Sequence, residues 1–62
     1  NMIDIIDTVQ HVNDPITNKP CGYKVTRVNS NLISYVPLAT DNTDYQTIQE
    51  WVSKGNTIQE AD

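Results

Sequence analysis

The last third of the chain, Asp41 to Ile58, carries a helix start signal, a helix stop signal and an apolar stripe between them, so any fold must cover that stripe. Thr43 and Gln46 stand at the spacing of a capping box: the Thr43 hydroxyl can accept from a first-turn amide, and Gln46 can reach back to the Thr43 N–H. Asp41 and Asp44 lie where the positive end of the helix dipole favours carboxylates. At the far end Lys54 complements the negative end, and Gly55 can take the left-handed conformation that closes a helix without a Cβ clash. Tyr45, Ile48, Trp51 and Val52 fall on one face, while Gln46, Thr47, Gln49, Glu50 and Ser53 fill the wet side. Trp51, the largest side chain, is expected to be buried as the main filler of the seam beneath the helix. Ile58 is expected to fold back on the helix end, with the rest of the tail fraying.

Something flat must lie under that stripe, and residues 23–37 supply it. Tyr23, Val25 and Val28, with Lys24, Thr26 and Arg27 between them, read as a strand. Asn29-Ser30-Asn31 reads as a three-residue turn, and Leu32 to Val36 as the return strand of a hairpin. Pro37 ends the ladder, and Leu38 is placed to staple the first turn of the helix. Upstream, Asn13 to Gly22 reads as a connector with no packed element running through it. Pro15 and Pro20 remove amide donors, Asn13-Asp14-Pro15 opens a turn, and Gly22 lets the chain swing into the next element.

Residues 2–12 carry two conflicting patterns. Met2, Ile5, Ile6, Val9 and Val12 fit a helical face, but Ile3 falls off it, and Ile3, Ile5, Ile6, Val9 and Val12 are all β-branched and favour extended backbone. Val9 and Val12 point in opposite senses along a strand, so the strand register is not clean either. The segment is read as a strand or an extended arm. The expected fold is therefore α+β: a small antiparallel hairpin or three-stranded sheet packed by one C-terminal α-helix. Residues 1–14 form a strand or docking arm, and residues 15–62 a hairpin-plus-helix mini-domain.

Size and chemistry narrow the function. A domain of 62 residues buries only roughly 60% of its unfolded surface, so it is marginal without help. Cys21 is the only cysteine and forms no internal disulfide, and no His/Cys cluster offers a structural metal site. A binding partner is the expected source of the missing stability. Eight acidic against four basic residues give a net charge of −4, with Lys19, Lys24, Arg27 and Lys54 scattered rather than gathered, which disfavours nucleic acid. No apolar run approaches the about 18 residues of a membrane span, and no basic segment followed by an apolar core reads as a signal peptide. Asn1 in first place points to a missing initiator Met or a trimmed fragment.

His11 and Cys21 sit on opposite sides of the connector and are read as a partly exposed strand residue and a small packing residue, not a catalytic pair. Asp4, Asp7 and Asp14 lack the spacing of a calcium loop and read as a solvated face. Gly22 and Gly55 form no phosphate loop. The expectation is a protein without catalytic residues, metal or cofactor, and not an enzyme. Its candidate partner-binding residues are Ile3, Ile5 and Ile6 in the N-terminal segment, with Tyr23 and Tyr35 as amphipathic aromatics on the hairpin.

Val36-Pro37-Leu38, then Asp41-Asn42-Thr43-Asp44-Tyr45-Gln46 with Ile48, Gln49, Trp51, Val52 and Gly55-Asn56-Thr57-Ile58, and Ala61-Asp62 at the end, resembles the C-terminal pattern of short proteins encoded by tailed bacteriophages. In those a small β region is followed by an Asn-x-Asp-Tyr-Gln helix, a Trp and a closing Gly-Asn-Thr, and the genes often lie among virion structural genes or beside tail fibres. The resemblance covers residues 36–62 and leaves residues 1–35 unmatched. It implies a virion structural protein, made in the host cytoplasm, that acts by viral assembly and protein–protein interaction. Such a chain would be a small accessory component, in capsid decoration or in the tail, binding a larger capsid or tail protein in many symmetric copies. The alternative from the same setting is a non-virion chaperone of tail-fibre assembly. A host-directed inhibitor working by acidic mimicry fits the charge alone.

Overall fold

Three segments rich in β-branched and aromatic residues pair into one antiparallel sheet in the computed structural model, which describes residues 5–62. They are β1 (Ile6–Asn13), β2 (Pro20–Arg27) and β3 (Ile33–Pro37), in the order β1-β2-β3, and a single helix α1 (Thr43–Ser53) follows. The fold is α+β, with a three-stranded sheet packed by one C-terminal helix. From Ile6 onward the N-terminal segment takes the strand alternative, and Val9 is fully buried on it.

The connector is shorter than the sequence implies. The turn itself is built from side chains: the Asp14 carboxylate accepts from the amides of Ile16 at 2.8 Å and Thr17 at 3.2 Å. The Asp14 amide donates to the Lys19 carbonyl at 2.8 Å, while Asn18 takes a positive φ of 60° that its short polar side chain tolerates. Pro20, Cys21 and Gly22, however, already belong to β2. Gly22 is not a swivel but a buried strand residue, where an added Cβ would stand 2.5 Å from the Val36 carbonyl oxygen. A side chain there would push β3 away.

Both ends of the β1–β2 ladder are irregular. The register steps from Ile6↔Arg27 to Thr8↔Thr26 and from Val12↔Gly22 to Asn13↔Pro20, which leaves Asp7 and Cys21 as the extra residues of two bulges. Next to the first, the Thr8 amide donates to the Thr26 hydroxyl at 3.2 Å, and the two threonine hydroxyls are themselves hydrogen-bonded. The β2–β3 loop is also longer than the three residues expected. Val28 leaves the hairpin and donates its amide to the Ile5 carbonyl at 3.0 Å, Asn29 takes a φ of 62°, and the Ser30 hydroxyl accepts from the Leu32 amide at 3.1 Å. Leu32 therefore belongs to the loop, and the return strand starts at Ile33.

At α1 the cap lies one residue earlier than the capping box suggests. Asn42 is the N-cap, and its side-chain oxygen accepts from the Tyr45 amide at 3.0 Å. Gln46 reaches past Thr43 to donate to the Thr40 carbonyl at 2.9 Å, and the Thr43 carbonyl accepts from the Thr47 hydroxyl at 3.0 Å. Leu38 does not staple the first turn; it is exposed. The other end closes as the sequence implies. Gly55 has φ 102° and donates its amide to the Val52 carbonyl at 3.0 Å. The Asn56 side-chain amide caps the Trp51 carbonyl at 2.8 Å, the acceptor that a backbone amide takes in the usual closing motif.

The helix lays its stripe on one face of the sheet. Val9, Tyr23, Val25, Val36 and Ile48 form the buried core, with Ile6, Tyr45, Trp51 and Ile58 packed against it. Ile48, 1% exposed, fills the seam. Trp51, expected in that place, is only half-buried at the cluster's margin. Beyond Gly55 the tail does not fray: Ile58 packs on the core cluster, and Gln59 forms a parallel bridge beside Gln10 of β1. The Gln59 amide donates to Val9 O at 2.8 Å and its carbonyl accepts from the His11 amide at 2.9 Å. The Gln10 side-chain amide then donates to the Glu60 carbonyl and to Asp62 Oδ1, both at 3.0 Å. The tail is thus a latch on the outer edge of β1.

Candidate interaction surface

That latch fixes which way every strand residue points. Because Val9 and His11 spend their backbone groups on Gln59, the alternation of an antiparallel ladder turns those of Gln10 and Val12 toward β2. The same alternation turns Tyr23 and Val25 toward β3, and Ser34 and Val36 back toward β2. Ile33, Tyr35 and Pro37 are left facing outward. The crowding of Val36 O against Gly22 agrees with this phase, and so does Pro37, whose ring nitrogen needs no partner on an open edge.

Side chains divide by the same register. The rows Val9–Val25–Ser34 and His11–Tyr23–Val36 face α1. The rows Thr8–Thr26–Ile33, Gln10–Lys24–Tyr35 and Val12–Gly22–Pro37 face the opposite way, where no element among the described residues covers them. In the middle row Tyr35 is 69% exposed, and its neighbour Ile33 is 53% exposed. The missing side chain at Gly22 opens an apolar recess of about 260 Å³ beside Tyr35, walled by Val12, Pro37 and Cys21. Lys24 is the one charged side chain in these three rows, with Asp62 held at the rim by Gln10.

The candidate partner residues separate accordingly. Tyr35 stands on the open face. Tyr23 does not: it is 7% exposed, lies in the core, and has its ring 6.1 Å from that of Tyr45 and 5.5 Å from that of His11. Its hydroxyl accepts from the Gln49 side-chain amide at 3.4 Å. Two residues of opposite parity on the same strand pair cannot share a surface, and Tyr23 and Tyr35 differ in this way. Ile6 packs against the core, Ile5 is exposed, and Ile3 lies outside the described residues. Ile33 and the Gly22 recess escape the sequence reading, although counting by two from Tyr35 to Ile33 and Pro37 would have found the row.

The remaining chemical candidates stay apart. Cys21 is exposed on its bulge rather than packed, while the half-buried His11 rests its ring on Tyr23. Among the described residues no group of three or more His, Cys, Asp or Glu side chains is placed to hold a metal ion. Asp7 sits on the other bulge and Asp14 is engaged in its turn; Asp4 lies outside the described residues. A second recess, between the β2–β3 loop and the start of α1, is bordered by Arg27, whose guanidinium donates to the Ser34 hydroxyl at 2.8 Å. None of the helices described is long and apolar enough to cross a membrane. No family model, curated protein or solved structure matches this chain.

Proposed function

We propose that this chain is a bacteriophage virion structural protein, a small non-catalytic accessory component that binds a larger capsid or tail protein in many copies. The observation that carries the reading is the uncovered sheet face, where Tyr35, Val12 and Pro37 line an apolar recess and Ile33 stands exposed two residues from Tyr35. A monomer with nothing to bind gains little by leaving an aromatic and a β-branched residue together in water, and such patches mark protein–protein contacts. A face whose one charged side chain is Lys24, with the other basic residues scattered elsewhere, supports a protein partner over nucleic acid. The phage setting rests on the resemblance of residues 36–62, and half of that pattern, from Asn42 to Gly55, lies in the helix and its caps.

Mass spectrometry of purified particles of the encoding phage tests the proposal. Presence at a fixed ratio to the major capsid or tail protein is the expected result. Absence from particles, together with copurification with unassembled tail fibre, would replace it with the assembly-chaperone reading.

A further inference from the structure

The two edges of this sheet are treated differently. The outer edge of β1 is covered by the Gln59 bridge and interrupted by the bulge at Asp7. Proteins guard exposed edges in such ways, or with lysine, because unpaired N–H and C=O groups accept any strand that arrives. Among the described residues the edge of β3 has neither bridge, bulge nor lysine, and is limited only by its length and by Pro37 at its end. Its sequence, Ile33-Ser34-Tyr35-Val36-Pro37, holds no charge, and no strand among the described residues pairs with its outer side.

We infer that β3 is a self-pairing edge, which joins the same strand of a second copy antiparallel about a two-fold axis at Ser34 and so makes one continuous six-stranded sheet. The outward groups of β3 are complementary to those of a second copy, and they select this register. Ile33 and Tyr35 each present an N–H and a C=O, whereas Pro37 presents a C=O alone. With the axis at Ser34, Ile33 of each copy faces Tyr35 of the other, both exchange their full complement of bonds, and Pro37 falls beyond the ladder. An axis at Tyr35 would set Ile33 against Pro37 and leave the Ile33 carbonyl without a donor. An axis at Val36 would do the same to Tyr35. The favoured register also brings the two exposed side chains, 53% and 69% open, into reciprocal aliphatic–aromatic pairs across the new seam.

An uncharged edge matters here because each copy carries a net charge of −4, and a second copy can approach closely only where the chain keeps charge away. Strands of five residues bury far less than the ~1,200–2,000 Å² of a stable complex, so the free dimer is weak and concentration-dependent. The pairing follows from strand geometry and does not require the virion reading.

Two measurements on the full chain test it. In nuclear magnetic resonance spectra taken from dilute solution into the millimolar range, the Ile33 and Tyr35 amides should shift with concentration, and the shift should be lost in Tyr35→Lys, which places like charges beside the axis. Cysteine trapping in a Cys21→Ser background then reads the register. Facing residues lie about 5.5 Å apart between Cα atoms, inside the about 4.4–6.8 Å that a disulfide spans. Like residues are offset by two positions along the seam, at about 3.4 Å each, and lie too far apart. Ile33→Cys mixed with Tyr35→Cys should therefore form the mixed dimer in excess of the statistical proportion, and each variant alone should cross-link poorly. A wild-type chain whose β3 amides do not respond to concentration, or homodimers formed as readily as the mixed species, would overturn the proposal. Either result leaves the particle-composition experiment to decide the virion reading by itself.

Discussion

Ile48 and Ile33 are the same residue in opposite environments, one 1% exposed beneath α1 and the other 53% exposed on the open face. Truncating each to Ala separates what holds the fold from what the surface offers. At Ile48 the lost methyl and methylene groups leave a cavity walled by the core cluster, and such changes cost about 2–5 kcal/mol. The whole stability expected of 62 residues is only about 3–9 kcal/mol, so Ile48→Ala should remove a large part of it. Ile48→Val, which deletes one methyl, should cost about 0.5–1.5 kcal/mol. Ile33→Ala leaves no cavity and should cost about 1 kcal/mol at most, through strand preference. Urea titration of dilute protein followed by the fluorescence of Trp51 measures all three, because its indole packs on the margin of the cluster. With a slope near 1 kcal/mol per molar, Ile48→Ala should lower the midpoint by roughly 2 M or leave no folded baseline. An Ile33→Ala loss as large as that of Ile48→Ala in the monomer would refute the division of faces.

Gly22→Ala should cost about 1–3 kcal/mol in thermal melts, because its Cβ meets the Val36 carbonyl rather than a side chain that could turn away; an unchanged melting temperature would show that β2 and β3 are not so closely apposed. Asn42→Ala should cost about 0.5–2 kcal/mol through loss of the bond to the Tyr45 amide, whereas Thr43→Ala should stay within about 0.5 kcal/mol. The reverse order would restore the capping box at Thr43. Gly55→Ala should cost about 1 kcal/mol by backbone strain alone, since nothing lies within 4 Å of the added carbon, and Gly55→Asn should cost less in the same urea assay.

What the sequence disclosed was local chemistry, and what it concealed was mostly register. The helix was legible because its stripe and its Gly55 stop are written within a few residues. Its start slipped by one because Asn42 and Thr43 are both competent caps, and only the geometry of the preceding turn chooses between them. β1 was ambiguous for a physical reason: Val9 enters the core while Val12 faces the open side, and the Asp7 bulge breaks the alternation that would have revealed it. The start of β2 was hidden because Pro20 and Gly22 look like turn residues, yet one occupies a strand end and the other a close strand contact. Trp51 drew attention by its size, although the seam admits a residue of Ile48's shape and leaves the indole at the rim. The tail latch leaves almost no trace in composition, since its bonds are mostly made by backbone groups and glutamine amides. On the surface, Tyr35 and Tyr23 look alike in the sequence, and only the strand pairing puts the first on the open face and the second in the core.

Hydrogen exchange on the dilute free chain tests most directly whether this sheet is self-sufficient, latched at β1 and open at β3. The account predicts slow exchange for the amides of His11, Val25 and Gln59, together with those in the middle of α1, and fast exchange for those of Ile33 and Tyr35. Fast exchange throughout β1 and the tail, with only α1 protected, would contradict it and make the first strand a docking arm that orders against a partner.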